Sequence, residues 1–215
     1  MSDPVRRGPS AARAALVRVS AAHAARREAA LRDALPVAAA AAGPEAVEEV
    51  LLQAYLFLGF PATIWAFGIW RSMDEDARAD TEQRPDGDAA DPNEQTLAGE
   101  EVCARVYSAN YQKLRDHVRA LHPELDRWMI REGYGKVLGR SRVDLVTREL
   151  CVVASLAVTA WEPQLHSHLR GALNVGARPD EVDAALEEGL GFVPRPAWPE
   201  RARALWRQVA ERHVR

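Results

Sequence analysis

At 215 residues the chain can bury a core as one large domain or two small ones. Hydrophobic residues make up 47% and charged residues 27% of it, a globular balance. The net charge of −3 and the scattered Lys and Arg leave no basic stripe of the kind that reads nucleic acid. Cys103 and Cys151 belong to no C-x-x-C or Cys/His cluster, so spacing defines no zinc site. Such sparing use of cysteine fits a reducing compartment, the cytoplasm.

In chain order, the N-terminal stretch is rich in Arg and Ala and poor in acids, a superficial likeness to a transit peptide. Its alanines predict instead a helix over 11–35. Pro44 opens the next helix, with Glu45, Glu48 and Glu49 complementing the positive end of its dipole. Residues 50–70 carry no charge, and an apolar run of about 20 residues can span a bilayer. Gly59-Phe60-Pro61 in its middle and an acidic flank after it predict two short buried helices meeting at a corner. Residues 74–95 hold nine acids against two arginines and almost nothing apolar, as expected of a solvated linker.

That linker divides the chain into an N-terminal helical half (1–73) and a second helical domain (96–215). The second begins with a predicted helix over 97–120, then a shorter one started by His122-Pro123-Glu124. Gly135 and Gly139 bracket a predicted loop. A long helix follows over 143–159, and another starts around Pro163 and stops near Asn174-Val175-Gly176. Pro179-Asp180-Glu181 opens a further helix, and Pro194 and Pro196 precede a last one over 199–212. Alternating β-branched runs are absent, so the fold class is all-α. A short internal repeat is visible: PEAVEEVLLQ at 44–53 matches PDEVDAALEE at 179–188, an offset of 135. At that offset Ala14 faces Glu149 and Asp33 faces His168, so a duplicated first half would lack the acid/base pair and serve as a built-in packing partner.

The chemistry-bearing residues lie in the second half. Arg142, Leu145, Val146, Glu149, Val152, Val153 and Leu156 share one helical face. A carboxylate among so many aliphatics must find a partner or take up a proton, which makes Glu149 a site candidate. The structural alternative is an ion pair across a helix interface. On the next helix Trp161, Gln164, His168, Gly171, Ala172 and Val175 share a face. As an imidazole, His168 can serve as acid or base. Its structural alternative is a core histidine bonded to a carbonyl.

The sequence REL, then LHSHLRGALNVGA, then PDEV resembles the carboxymuconolactone decarboxylase family and its alkylhydroperoxidase D-like relatives, best over 134–188. EEVLLQAYLFLGFPA at 48–62 is a second match. The resemblance implies an alkylhydroperoxidase D-like helical bundle assembled into homo-oligomers. The family's peroxidase branch carries Glu, then C-x-x-C, then His. Glu149 and His168 keep that spacing, whereas Trp161 and Gln164 stand at the cysteine positions. Thiol peroxidases need an attacking thiolate and a resolving thiol. Cys151 lies roughly 200° around the helix from Glu149 and reads as a small buried apolar residue. The decarboxylase branch, which lacks the cysteine pair, fits better.

Three functions follow. The first is lyase-like proton transfer on a small organic acid or lactone, with His168 as general acid/base and Glu149 orienting it. Trp161 and Gln164 would line the pocket, and Tyr134, Lys136 and Arg140 would bind a substrate carboxylate. The second is a peroxidase using Cys151 with an external thiol. The third is a non-catalytic binding or scaffold protein. None calls for a metal or a cofactor, and nucleic-acid and membrane partners are not expected.

Overall fold

The computed structural model describes residues 9–73, 91–193 and 197–213. Four helices precede residue 74: α1 (Ala11–Ala24), α2 (Glu28–Ala42), α3 (Pro44–Gln53) and α4 (Tyr55–Met73). Then come α5 (Pro92–Tyr107), α6 (Tyr111–Leu121), α7 (Pro123–Trp128) and a π-helix (Met129–Leu138). The chain ends with α8 (Leu145–Thr159), α9 (Glu162–Asn174), α10 (Pro179–Leu190) and α11 (Ala197–His213). Among the described residues there is no strand, so the all-α expectation is met.

Local chemistry sets most helix starts. Asp144 caps α8 by accepting from the Thr147 amide, and His122 Nδ1 accepts from the Glu124 amide at α7. Asp91 accepts from the Asn93 amide and Pro92 occupies the first turn of α5. Residues 92–95 are therefore helical, although composition had placed them in the linker; residues 74–90 of that linker lie outside the described residues.

Three predicted elements divide differently. The expected helix over 11–35 is two helices, because the chain turns at Arg26, where φ is 53°. The expected helix over 97–120 breaks at Ser108, where φ is 49°, and resumes as α6 after a short 3-10 turn. The expected loop around Gly135 is the π-helix. Two glycines explain the tight path there: a Cβ on Gly135 would lie 2.0 Å from the Gln95 carbonyl oxygen, and one on Gly99 2.1 Å from that of Ile130. Only bare backbone lets α5 and the π-helix cross so closely.

The Gly59-Phe60-Pro61 corner is present: Gly59 takes φ 80° inside α4. No single described helix is long and apolar enough to cross a membrane; α3 and α4 qualify only as a pair bent by 117°.

One large core draws on both ends of the sequence. Leu16, Val19, Leu35 and Leu51 pack in the same cluster as Leu150, Val153, Leu169, Leu186 and Trp206. A smaller cluster, with Cys103, Val106, Ile130, Tyr134 and Leu138, joins α5 to the π-helix. Two ion pairs tie early helices to late ones. Arg13 on α1 donates to Glu181 on α10 at 2.8 Å, and Arg148 on α8 donates to Glu49 on α3 at 2.7 Å. Arg13 and Arg148 are 135 positions apart. Ser155 Oγ donates to the Ser20 carbonyl at 3.4 Å, across the same interval.

Glu49 is the hub of the second pair. It accepts from Arg148, which is fully buried, and from Arg140 at 2.7 Å. Burial works to raise the Glu49 carboxyl, but the hydrogen bonds from Arg140 and Arg148 outweigh it and hold it below its ordinary range. Removing one partner of a buried pair costs about 3 kcal/mol, because a charge is left stranded. Glu49→Ala should therefore lower the unfolding free energy by about that amount in a urea titration. Because the folded-state value is depressed, the contribution is full above the unfolded value and is lost as pH falls through the folded one. Stability should drop on acidification below about pH 4, and Glu49→Gln should flatten that limb.

Candidate active site

The centre of the site is a side-chain pair on adjacent antiparallel helices. Glu149 on α8 and His168 on α9 meet at 2.9 Å, His168 Nδ1 to Glu149 Oε2. Glu149 is 0% and His168 4% exposed. Glu149 Oε1 is buried and, among the described residues, has no hydrogen-bond partner. An unpaired oxygen in such a place is costly. The pair forms because small residues bring α9 close: a Cβ on Gly171 would sit 2.7 Å from Glu149 Oε2 and 2.7 Å from Val106 Cγ1.

With Nδ1 committed to Glu149, Nε2 is the ring nitrogen left for a ligand. His168 lines a cavity of about 530 Å³. Its walls come from the first half (Tyr55, Leu56, Phe57, Phe60), from α5 (Tyr107), and from α7 and the π-helix (Trp128, Met129, Tyr134). Phe57 and Tyr107 meet the imidazole edge-on, with ring centroids 5.5 and 6.4 Å away. The Tyr107 and Tyr134 hydroxyls share a hydrogen bond. Burial pushes the Tyr107 phenol up to about 12 and that of Tyr134 well above its usual value, so both stay protonated donors. Glu132 is the carboxylate in the lining, and no Lys or Arg lines the cavity among the described residues.

Of the residues expected at the site, Glu149, His168 and Tyr134 converge. Trp161 and Gln164 do not: Trp161 is 60% exposed, Gln164 is exposed, and neither lines the cavity. Both lie at the N-terminal end of α9, about a turn or more before His168, and face outward. Arg140 is taken up by Glu49, and Lys136 is half-buried outside the cavity wall. The residues missed were the aromatic ones, Tyr55, Phe57 and Tyr107. For Tyr55 and Phe57 the available signal is the uncharged, aromatic-dense run 55–60.

Cys151 is fully buried, and burial pushes its thiol up to about 12. Cys103 is fully buried as well, with its thiol also raised to about 12 by burial. At neutral pH neither offers a thiolate.

The structure is thus an all-helical bundle that buries a carboxylate–imidazole pair at the wall of a largely aromatic cavity. The model of the Carboxymuconolactone decarboxylase family matches residues 123–206, the segment that holds Glu149, His168 and Tyr134. No curated protein matches the chain.

The close approach at Gly171 supplies a direct check. Gly171→Ala should force Glu149 or Val106 aside, at about 1–3 kcal/mol of stability as for other overpacked sites. Thermal melts should show the lower midpoint, and the His168 imidazole NMR signals should move as the contact with Glu149 is lost.

Proposed function

We propose that this carboxymuconolactone decarboxylase-like protein is an enzyme of proton transfer, acting on a lactone or related small cyclic carbonyl compound. The observation that carries the proposal is the buried Glu149–His168 contact of 2.9 Å at the wall of an aromatic cavity. His168 Nε2 would take the proton from the carbon next to the substrate carbonyl. The C–H electron pair moves to the carbonyl oxygen, giving an enolate, and the imidazole becomes an imidazolium. Glu149 accepts from its Nδ1–H and offsets the new charge inside the protein. The protonated Tyr134 is the donor within the lining suited to the enolate oxygen. Returning the proton to another carbon completes an isomerisation; where a carboxyl group stands β to the carbonyl, loss of carbon dioxide gives the same enolate.

The cavity favours the uncharged, lactone side of the expected substrate range over a free carboxylate. Glu132 is in the lining, no Lys or Arg lines the cavity among the described residues, and Arg140 is held by Glu49. The peroxidase alternative loses support because Cys151 is buried with its thiol raised. A duplicated origin is part of the proposal. The ends of α1 and α8, Ala24 and Thr159, are 135 positions apart, as are the starts of α3 and α10, Pro44 and Pro179. In that case the first half does more than pack, since Tyr55 and Phe57 wall the cavity.

The decisive measurement is deuterium incorporation from heavy water into a panel of small lactones and cyclic ketones. The intact protein should exchange the α-hydrogen of at least one, His168→Ala should lose about 100-fold or more, and Glu149→Gln should lose less. Exchange untouched by His168→Ala would reject the role of His168, and a panel left wholly inert would favour a binding or scaffold protein.

The expected homo-oligomer would draw on the rim of the same cavity, where Phe60, Leu125 and Trp128 are exposed. Light scattering behind a sizing column should give a multiple of the 23.7 kDa chain mass, and Trp128→Glu should reduce it.

A further inference from the structure

A second concavity, which shares Tyr107 with the aromatic cavity, has contrary electrostatics. It has two lobes. One, of about 290 Å³, is lined by His166, Arg170, Asn174, Arg212 and His213, with Leu173 and Val209. The other, of about 300 Å³, includes Lys113 and His117 from α6, Ser167 from α9 and Tyr107 from α5. His166, Arg170 and Asn174 line both lobes and form the waist between them. No carboxylate lines either lobe among the described residues.

That is unusual for this chain. Its arginines are mostly held by acids: Arg13, Arg18, Arg115, Arg140, Arg148 and Arg203, for example, each meet a carboxylate within 4 Å. Arg170, Arg212 and Lys113 meet none among the described residues, although the molecule carries a net charge of −3. Three permanent cations and three imidazoles thus converge on a concave surface that no carboxylate lines among the described residues. Like charges held together without a counter-ion repel, and an anion seated among them relieves that repulsion. The effect is already visible at the waist, where burial and then the nearby Arg170 and Arg212 hold the His166 imidazole below its ordinary value.

We propose that this trough is an anion site for a diphosphate group, one phosphoryl in each lobe and Arg170 between them. Two adjoining lobes with a shared arginine suit two linked anionic centres better than one. Arg170 and Arg212 offer planar forks that match phosphoryl oxygens, Lys113 acts as a point charge, and Ser167 and Asn174 add neutral polar groups. Because Tyr107 lines both the trough and the aromatic cavity, a bound diphosphate lies next to the chemistry proposed for His168. The site does not depend on that chemistry, and its test reads binding alone.

The probe is inorganic pyrophosphate, titrated calorimetrically into the full chain at low salt, with orthophosphate as comparison. Pyrophosphate should bind saturably at one site, at least tenfold more tightly than orthophosphate. Arg170→Ala should weaken it at least tenfold, and Arg212→Ala or Lys113→Ala about threefold each. Arg207→Ala removes an exposed arginine of α11 outside the trough and should change nothing. In histidine NMR titrations, bound pyrophosphate should raise the pKa of His166 and leave His168 alone. All these residues lie at or near the surface, and circular dichroism should show each variant folded. Absence of saturable binding, or equal loss in Arg207→Ala and Arg170→Ala, would overturn the proposal.

Discussion

The organisation of the molecule turns on two consecutive residues of α8. Arg148 and Glu149 are both fully buried, and both must find opposite or polarisable partners to be tolerated there. Successive helical residues point about 100° apart, so the two satisfy different neighbours. Arg148 reaches Glu49 and Gln53 on α3 and the carbonyls of Arg140 and Val143. Glu149 reaches His168 on α9. The first set of bonds fixes α8 against the early helices and the segment leading into it. With α8 so fixed, Glu149 can meet the imidazole only where α9 passes.

The same constraint explains why the early half of the chain belongs to the site without carrying its acid/base groups. Glu49 stands in the second half of α3, one turn before the chain leaves that helix for α4. Anchoring Glu49 to Arg148 and Arg140 sets where α4 begins, and the first turns of α4 supply Tyr55, Leu56 and Phe57 to the cavity wall. A buried ion pair is costly in isolation, yet here it places an aromatic wall opposite a buried imidazole. The reciprocal contact, Arg13 to Glu181, ties α1 to α10 in the same manner.

Two surfaces meet at Tyr107 with opposite character. Among the described residues, one side is aromatic and poor in cations; the other is cationic and without a lining carboxylate. Charge could not be segregated so sharply on one helix, since α5 itself carries mixed charges. It arises because α6, α9 and α11 turn their basic residues to a common side.

Much was legible in the chain alone. Helical period and the absence of strand patterning predicted the all-α class, proline and cap residues predicted most helix starts, and Glu149 in an aliphatic stripe announced a partner. Those are local properties, set by spacing of a few residues along one helix. The turns at Arg26 and Ser108 were not legible, because positive φ at such residues is imposed by packing and no glycine marks it. Nor was the fate of Arg140 and Arg148: an arginine reads alike in sequence whether it binds a ligand or a structural carboxylate 91 or 99 residues away. Trp161 and Gln164 shared the predicted face of His168, but a face at the end of a helix extends past its neighbour into solvent. Sequence by itself determined which residues could carry proton chemistry. Only the tertiary structure decided that a buried carboxylate holds an imidazole at the wall of a cavity built of rings from distant segments, because burial and contact belong to pairs of helices and not to any one of them.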